Sequence, residues 1–199
     1  MTPDPRISAP SALRNRGPIL EVLQRVLPAT GLVLEVASGT GEHVTYFAEH
    51  LSGLTFQPTE PDAERRASID AWTHELLNVR PSIPLDAAGP WPDMQLDAVI
   101  CINMIHISPW DATLGLLAGA SKNLRPGGVL MLYGPYLQRG VTTAEGNIAF
   151  DADLRARNPL WGLREVETVA EKAAENGFVA PEIVTMPANN LTLLFSKPA

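Results

Sequence analysis

The stretch "LVLEVASGTGEHV", Leu32 to Val44, is an apolar run that breaks into a turn carrying Gly39 and Gly41 and then into a helix-like pattern. Glycines at such a turn let the backbone approach a bound ligand closely. Acidic residues accompany the turn in order along the chain. Glu35 lies inside the apolar run, Glu60 and Asp62 follow the next one, and Asp86 follows a third. Three ligand classes compete for a turn of this kind. A phosphate-binding loop ends in Gly-Lys-Ser/Thr, which is absent here. A dinucleotide turn, G-x-G-x-x-G, needs a third small residue for close helix packing, and Val44 occupies that position.

The third class is a ligand without phosphate that carries positive charge. Its site needs glycines for close approach and carboxylates in place of Lys or Arg. S-adenosylmethionine, with a cationic sulfonium and a cationic amino group, is the ligand this pattern selects. Ala37, Ser38, Gly39 and Gly41 are then expected to cradle it, with Glu35 close by. Glu60 and Asp62 are placed to accept hydrogen bonds from the two ribose hydroxyls, and Asp86 from an adenine amino group.

A second candidate locus is "NMIHISPW". Asn103 falls where an apolar strand meets the pocket, and its amide can bind the cofactor's amino-acid end or an acceptor. His106 stands three residues on, with an ordinary pKa suited to proton transfer near neutrality. It has two readings, as a general base or as a residue that lines or braces the pocket. Tyr133 and Tyr136 in "YGPY" border an acceptor site or pack beside it. Asn147, Phe150, Arg155 and Trp161 lie in a long segment of weak periodicity, of a length typical of lids and binding loops. They are expected to cover the substrate, the competing role being to pack that segment onto the sheet. His43, His50 and His74 have no metal-ligand partners at useful spacing and read as surface or packing residues, and Cys101 sits inside an apolar strand as a core residue. No metal site is expected.

The elements that must position these groups can be read from hydrophobic period and punctuation. Residues 1–11, rich in Pro and Ser, predict an extended arm. "GPILEVLQRVLP" predicts a helix carrying Ile19, Val22, Leu23, Val26 and Leu27, ended by Pro28. Strands are predicted at Leu32–Val36, Leu54–Gln57, "SIPLDA", "LDAVICINM" and "VLMLYG", with helices after the glycine turn and over Asp62–Leu76. A further helix opens at "SPWD", with Ser108 as cap, Pro109 at the first helical position and Asp111 completing a capping box. Pro135 to Gly162 shows no strong periodicity. A helix over Arg164–Asn176 ends at Gly177, and "EIVTMPANNLTLLFSK" predicts a closing hairpin whose turn places Asn189 and Asn190 at positive φ. Alternating strands and helices imply a doubly wound α/β fold, with a mostly parallel sheet covered on both faces and an antiparallel C-terminal hairpin. No repeat or linker divides the 199 residues, so a single domain is expected.

Composition limits the partners. The formal net charge is −7, with Lys and Arg scattered, so the basic stripe of a nucleic-acid binder is missing. No apolar run approaches membrane-spanning length. A lone cysteine and a first segment without an apolar core predict a cytoplasmic protein. The oligomeric state is not readable.

Six blocks, "EVASGTGEHVTYFAEHL", "QPTEPD", "NMIHISPWDAT", "LRPGGVLMLYGPY", "FDADLRARNPLWGLRE" and "MPANNLTLLF", together resemble the methyltransferase-like protein 26 family, also called domain of unknown function 938. The resemblance runs from about Ser11 to Lys197. It implies the seven-stranded, Rossmann-like methyltransferase fold and S-adenosylmethionine as ligand, and it says little of the acceptor. It also extends to an N-terminal block matched by Arg14, Asn15 and Arg16, in which Gly17 departs from the usual acidic residue. Arg14 and Asn15 are carried over as cofactor-side residues. The expectation is an S-adenosylmethionine-dependent methyltransferase acting on a small-molecule acceptor. The alternative is a non-catalytic S-adenosylmethionine-binding protein with a regulatory or scaffold role.

Overall fold

Parallel strands need crossovers to return to the same edge of a sheet, and the alternation in this chain supplies them. The computed structural model describes residues 4–199. Its elements are α1 (Pro10–Val26), β1 (Gly31–Val36), α2 (Glu42–His50), β2 (Leu54–Pro58), α3 (Ala63–Thr73), β3 (Leu96–Ile102), α4 (Trp110–Asn123) and β4 (Leu124–Gly134). They continue with β5 (Tyr136–Leu137), α5 (Glu145–Arg157), β6 (Arg164–Glu165), α6 (Val166–Glu175), β7 (Glu182–Met186) and β8 (Asn190–Ser196). The main sheet runs β2-β1-β3-β4-β8-β7. The β2-β1-β3-β4 pairings are parallel, and β8 lies antiparallel between β4 and β7. β5 and β6 form a separate short parallel pair.

Period-2 alternation sends successive side chains to opposite faces of the sheet. Val33, Ala98, Ile100 and Met131 pack under Ile19 and Leu23 of α1, Phe47 of α2 and Ile69 of α3. On the other face Leu34, Val99, Cys101 and Leu132 meet Leu116 and Leu117 of α4 and Val169 of α6. A strand covered on both sides has no polar face to show, which explains the nearly unbroken apolar run of β3. Chain direction reverses outward from β1 and β3, so their carboxyl ends flank the switch point where such sheets bind ligands.

Several expectations are corrected. The sheet has six strands where seven were expected. "SIPLDA" forms no strand, and only isolated bridges, Phe56 to Val79 and Thr59 to Ile83, join its neighbourhood to β2. Pro81 and Pro84 lack the N–H groups a ladder needs. The extended arm is shorter than 1–11, because α1 begins at Pro10, with proline tolerated in the first turn; residues 1–3 lie outside the described residues. α1 also continues through Pro18, so the helix starts well before the apolar stripe that reveals it. α3 is Ala63–Thr73, capped by Asp62, in place of Asp62–Leu76. At α4, Pro109 is the N-cap without a side-chain bond, and Ser108 Oγ donates to Met104 Sδ at 3.1 Å. The segment after Pro135 contains α5, of which only Leu154 is buried, so no apolar stripe announces it. Arg164 and Glu165 pair with Tyr136 and Leu137, delaying α6 to Val166. Among the described residues no helix is long and apolar enough to cross a membrane.

One contact sets how closely α4 seats beside the site. A Cβ at Gly115 would lie 2.1 Å from the Ala87 carbonyl oxygen and 2.8 Å from Ala88 Cα. Glycine-to-alanine inside a helix ordinarily stabilises by about 0.5–1 kcal/mol. Here Gly115→Ala is expected to destabilise by roughly 1–3 kcal/mol, because backbone must move. Urea unfolding of the two proteins checks the sign.

Candidate functional site

Two adjoining cavities open at the carboxyl ends of the parallel strands. The first, about 520 Å³, lies between the glycine turn after β1, the end of β3, the start of α1 and the start of α4. Of the residues expected there, Ala37, Ser38, Gly39, Glu60, Asp86 and Asn103 line it. Gly41 is instead the N-cap of α2 at φ 96°, where a Cβ would come 2.7 Å from Ile69 Cα, so it secures helix packing behind the turn. Asp62 caps α3, accepting from the Arg65 amide at 2.9 Å. Glu35 lies buried beneath the turn with Oε2 unpartnered. Burial, and secondarily the nearby Glu60, raises its pKa to about 7.

The turn's hydrogen bonds show what it can hold. Ser38 N–H donates to the Thr59 carbonyl at 2.8 Å, Gly39 N–H to Glu60 Oε2 at 3.0 Å, and Gly41 N–H to the Ser38 carbonyl at 3.2 Å. These amides serve protein acceptors and are not offered to a phosphate, unlike those of a phosphate-binding nest. Gly39, at φ 60°, has no heavy atom within 4 Å of the position a Cβ would take. Its bare backbone therefore leaves room for a ligand. Glu60 is 3% exposed and also faces the Asp62 amide at 3.3 Å and Arg65 at 4.0 Å. With Asp86, it gives the polar part of the cavity hydrogen-bond acceptors, while Val36, Leu85, Ile102 and Met104 give it apolar walls. This donor and acceptor set suits a ligand with hydroxyls, an amino group and positive charge.

Sequence reasoning missed the contribution of the arm and the residues that hold it. Ala9, Ser11 and Ala12 line the first cavity. Buried Glu42 fastens the arm, accepting from Ser8 Oγ at 3.0 Å and from the Ala9 amide. Ser68 Oγ accepts from the Ile7 amide at 2.8 Å, and Trp72 Nε1 donates to the Ile7 carbonyl at 3.1 Å. His43, expected at the surface or in packing, also lines the cavity, and its Nε2 bonds Asn15 Oδ1 at 2.8 Å. Burial, reinforced by Arg16, lowers its pKa to about 4. No sequence signal marks these contacts, which join parts of the chain with no common motif.

The second cavity, about 880 Å³, shares Ser11, Asn103 and Ile107 with the first. His106, Tyr133, Asn147 and Phe150 line it, as do Arg14 and Asn15, which the sequence placed on the cofactor side. Asn103 sits at the junction at φ 61°, its amide donating to the Tyr133 carbonyl at 2.8 Å. His106 is 2% exposed, with Nδ1 unpartnered and Phe150 edge-on at 5.8 Å. Burial, with Arg164 nearby, lowers its pKa to about 4. A Cβ at Gly134 would stand 2.8 Å from His106 Cε1, so that glycine makes room for the ring.

Three residues expected at the substrate lie elsewhere. Tyr136 is buried and its hydroxyl unpartnered; it lines a smaller cavity of about 190 Å³. Arg155 pairs with Asp151 at 2.8 Å, and Trp161 stacks under Arg157 at 5.5 Å. Both brace the loop after α5, which Arg164 ties to the carbonyls of Ile105 and Ser108. Asn147 Nδ2 donates to the Asn189 carbonyl at 3.0 Å, joining α5 to the hairpin turn. Asn189 has the expected positive φ of 57°, whereas Ala188 takes the other left-handed position and Asn190 is extended.

The strand order and a ligand crevice at the switch point define the Rossmann-like methyltransferase fold. Solved structures share it. The S-adenosylmethionine-dependent methyltransferase SibL superposes with a TM-score of 0.78 at 17% identity, over 95% of this chain and 56% of that one. An O-methyltransferase family protein from Burkholderia thailandensis gives 0.79 at 15%, over 95% and 58%. CalO1, a methyltransferase of calicheamicin biosynthesis solved with S-adenosylhomocysteine, gives 0.75 at 17%, over 95% and 54%. This chain spans little more than half the length of each of these three. The chain belongs to the family described as protein of unknown function (DUF938), which matches residues 6–197.

The histidines make a testable contribution to acid stability. His43 and His106 keep their neutral forms in the fold down to about pH 4, while an unfolded histidine protonates near 6.5. Between those values the unfolded chain binds more protons at these sites, so their contribution falls as pH falls. Glu35 opposes them, because the folded carboxyl holds its proton up to about 7 and the unfolded one only to about 4.5. His43→Asn is expected to flatten the loss of stability on acidification from pH 6.5 to 4.5. Urea midpoints across that range check it, and an unchanged slope would contradict the assignment.

Proposed function

We propose that the protein is an S-adenosylmethionine-dependent methyltransferase acting on a small-molecule acceptor. The observation that carries this reading is the pair of cavities meeting at Asn103, the first holding carboxylates beside a glycine turn with its amides turned inward. The bound cofactor would supply a methyl group activated by its sulfonium. Glu60 accepts the ribose hydroxyls and Asp86 the adenine amino group. Asn103 orients the amino-acid end or the acceptor. Solved neighbours described as methyltransferases, and the resemblance to methyltransferase-like protein 26 chains, support the same activity.

Methyl transfer is an in-line displacement, so alignment of two reactants can supply about 7–11 kcal/mol of the barrier. The second cavity would do this by holding the acceptor beside the first. An acceptor oxygen or nitrogen held there would meet the first cavity at Asn103, where the cofactor would supply the methyl group. His106 is uncharged at neutral pH and can accept a hydrogen bond or proton from the acceptor, but a pKa near 4 makes it a weak base. Tyr133, Asn147 and Phe150 shape the acceptor's surroundings. The concave shape of the cavity and the scattered Lys and Arg favour a small molecule over a nucleic acid.

Calorimetric titration with S-adenosylmethionine, S-adenosylhomocysteine and NADH tests the first step. Both adenosyl compounds are expected to bind and NADH is not, and Glu60→Ala is expected to weaken adenosyl binding by about tenfold or more through lost charged hydrogen bonds. No adenosyl binding to folded, ligand-free protein defeats the reading. Once an acceptor is found in a metabolite pool by S-adenosylhomocysteine release, His106→Ala is expected to lower turnover while adenosyl affinity stays the same. Adenosyl binding with no release from any pool would favour the non-catalytic binding protein.

A further inference from the structure

The two cavities differ in charge. The first is faced by Glu42, Glu60 and Asp86 against Arg65 alone. The second has no aspartate or glutamate in its wall, and its one formal charge is Arg14. That arrangement stands out in a chain of net charge −7. Arg14 is exposed at the mouth and forms no ion pair among the described residues. A guanidinium presents a planar fork of donors that matches a carboxylate in two parallel hydrogen bonds. The same wall offers aromatic surface from buried Tyr133 and from Phe150, which is exposed at 37% and edge-on to His106 at 5.8 Å.

We infer that the second cavity receives a small aryl carboxylate, with Arg14 gripping the carboxylate at the mouth and the aromatic body against Phe150 and Tyr133. This inference rests on the methyltransferase reading for what happens to the bound acid, but the binding itself does not. An amine acceptor would bring a second positive charge beside Arg14 with no acidic partner in the wall. An anion avoids the acidic first cavity and is met only by the cation of the second.

The test is calorimetric titration with benzoate, 4-hydroxybenzoate and 3-(4-hydroxyphenyl)propionate, each against its carboxamide, on protein alone and with S-adenosylhomocysteine. At least one acid is expected to bind about tenfold more tightly than its amide, a difference of roughly 1.4 kcal/mol. Arg14→Gln is expected to erase that preference while leaving S-adenosylhomocysteine affinity unchanged, and Arg14→Lys to restore part of it. Because Arg14 is exposed, neither variant removes a core contact, and the retained S-adenosylhomocysteine affinity verifies the fold. Equal binding of acids and amides, an unchanged preference in Arg14→Gln, or no acid binding at about 10 mM, weaker than any useful small-molecule site, each overturns the inference. Failure of S-adenosylhomocysteine to bind wild-type protein overturns the methyltransferase reading instead, and the titrations on protein alone still report on Arg14.

Discussion

The bond from the Gly39 amide to the buried carboxylate of Glu60, 3.0 Å long, fixes the end of β2 against the turn that leaves β1. Burying a carboxylate is costly unless it is hydrogen-bonded, and two backbone amides here share the task. Thr59 continues the link, its amide donating to the Glu35 carbonyl at 2.9 Å. The turn is thereby held with its amides bonded within the protein and the bare backbone of Gly39 at the edge of the cavity. The charge of the cavity wall comes from the carboxylates beside it. A turn with the opposite polarity would favour phosphate on the same fold.

Much of this architecture is legible in sequence because burial leaves a period. β1 and β3 are covered on both faces, so their apolar runs are unambiguous, and the glycines between β1 and α2 mark the turn that borders the first cavity. Where burial is slight the signal disappears. α5 buries Leu154 alone, and α1 begins with residues that face the cavities and not the core. The unformed strand after α3 shows a different failure, in which apolar composition suggests a ladder and the prolines deny its donors. At the first cavity, residue types point to a turn that borders it but not to where each side chain is spent. Glu60 and Asp62 are equivalent acids in sequence. One is buried against the turn and the other is spent capping α3, a division that depends on where the helix begins.

Asn103 shows how one backbone conformation joins the two cavities. β3 would carry its apolar alternation onward, but a left-handed residue at φ 61° turns the chain out of the sheet, with its amide still paired to β4. Asparagine tolerates that region better than most residues. The turn brings His106 back under the end of β4, where Gly134 leaves space for the ring. Burial there is the main reason the imidazole stays neutral, and Arg164, which pins the same loop from outside, adds to it.

The walls of the two cavities are built to different tolerances. Strand ends, helix starts and hydrogen-bonded buried carboxylates make the first, so substitutions there act on the fold as well as on the ligand. Apart from Asn103, His106 and Tyr133, the second is closed by α1's first turns, α5 and the hairpin tip, which touch the core through few buried side chains. Surfaces of that kind can change residue by residue at small cost in stability, as loops on a rigid scaffold do. Under the proposed methyltransferase reading, the sheet would fix how the cofactor is recognised. The choice of acceptor would fall to a wall in which Arg14, on the exposed face of its helix, bears the only formal charge.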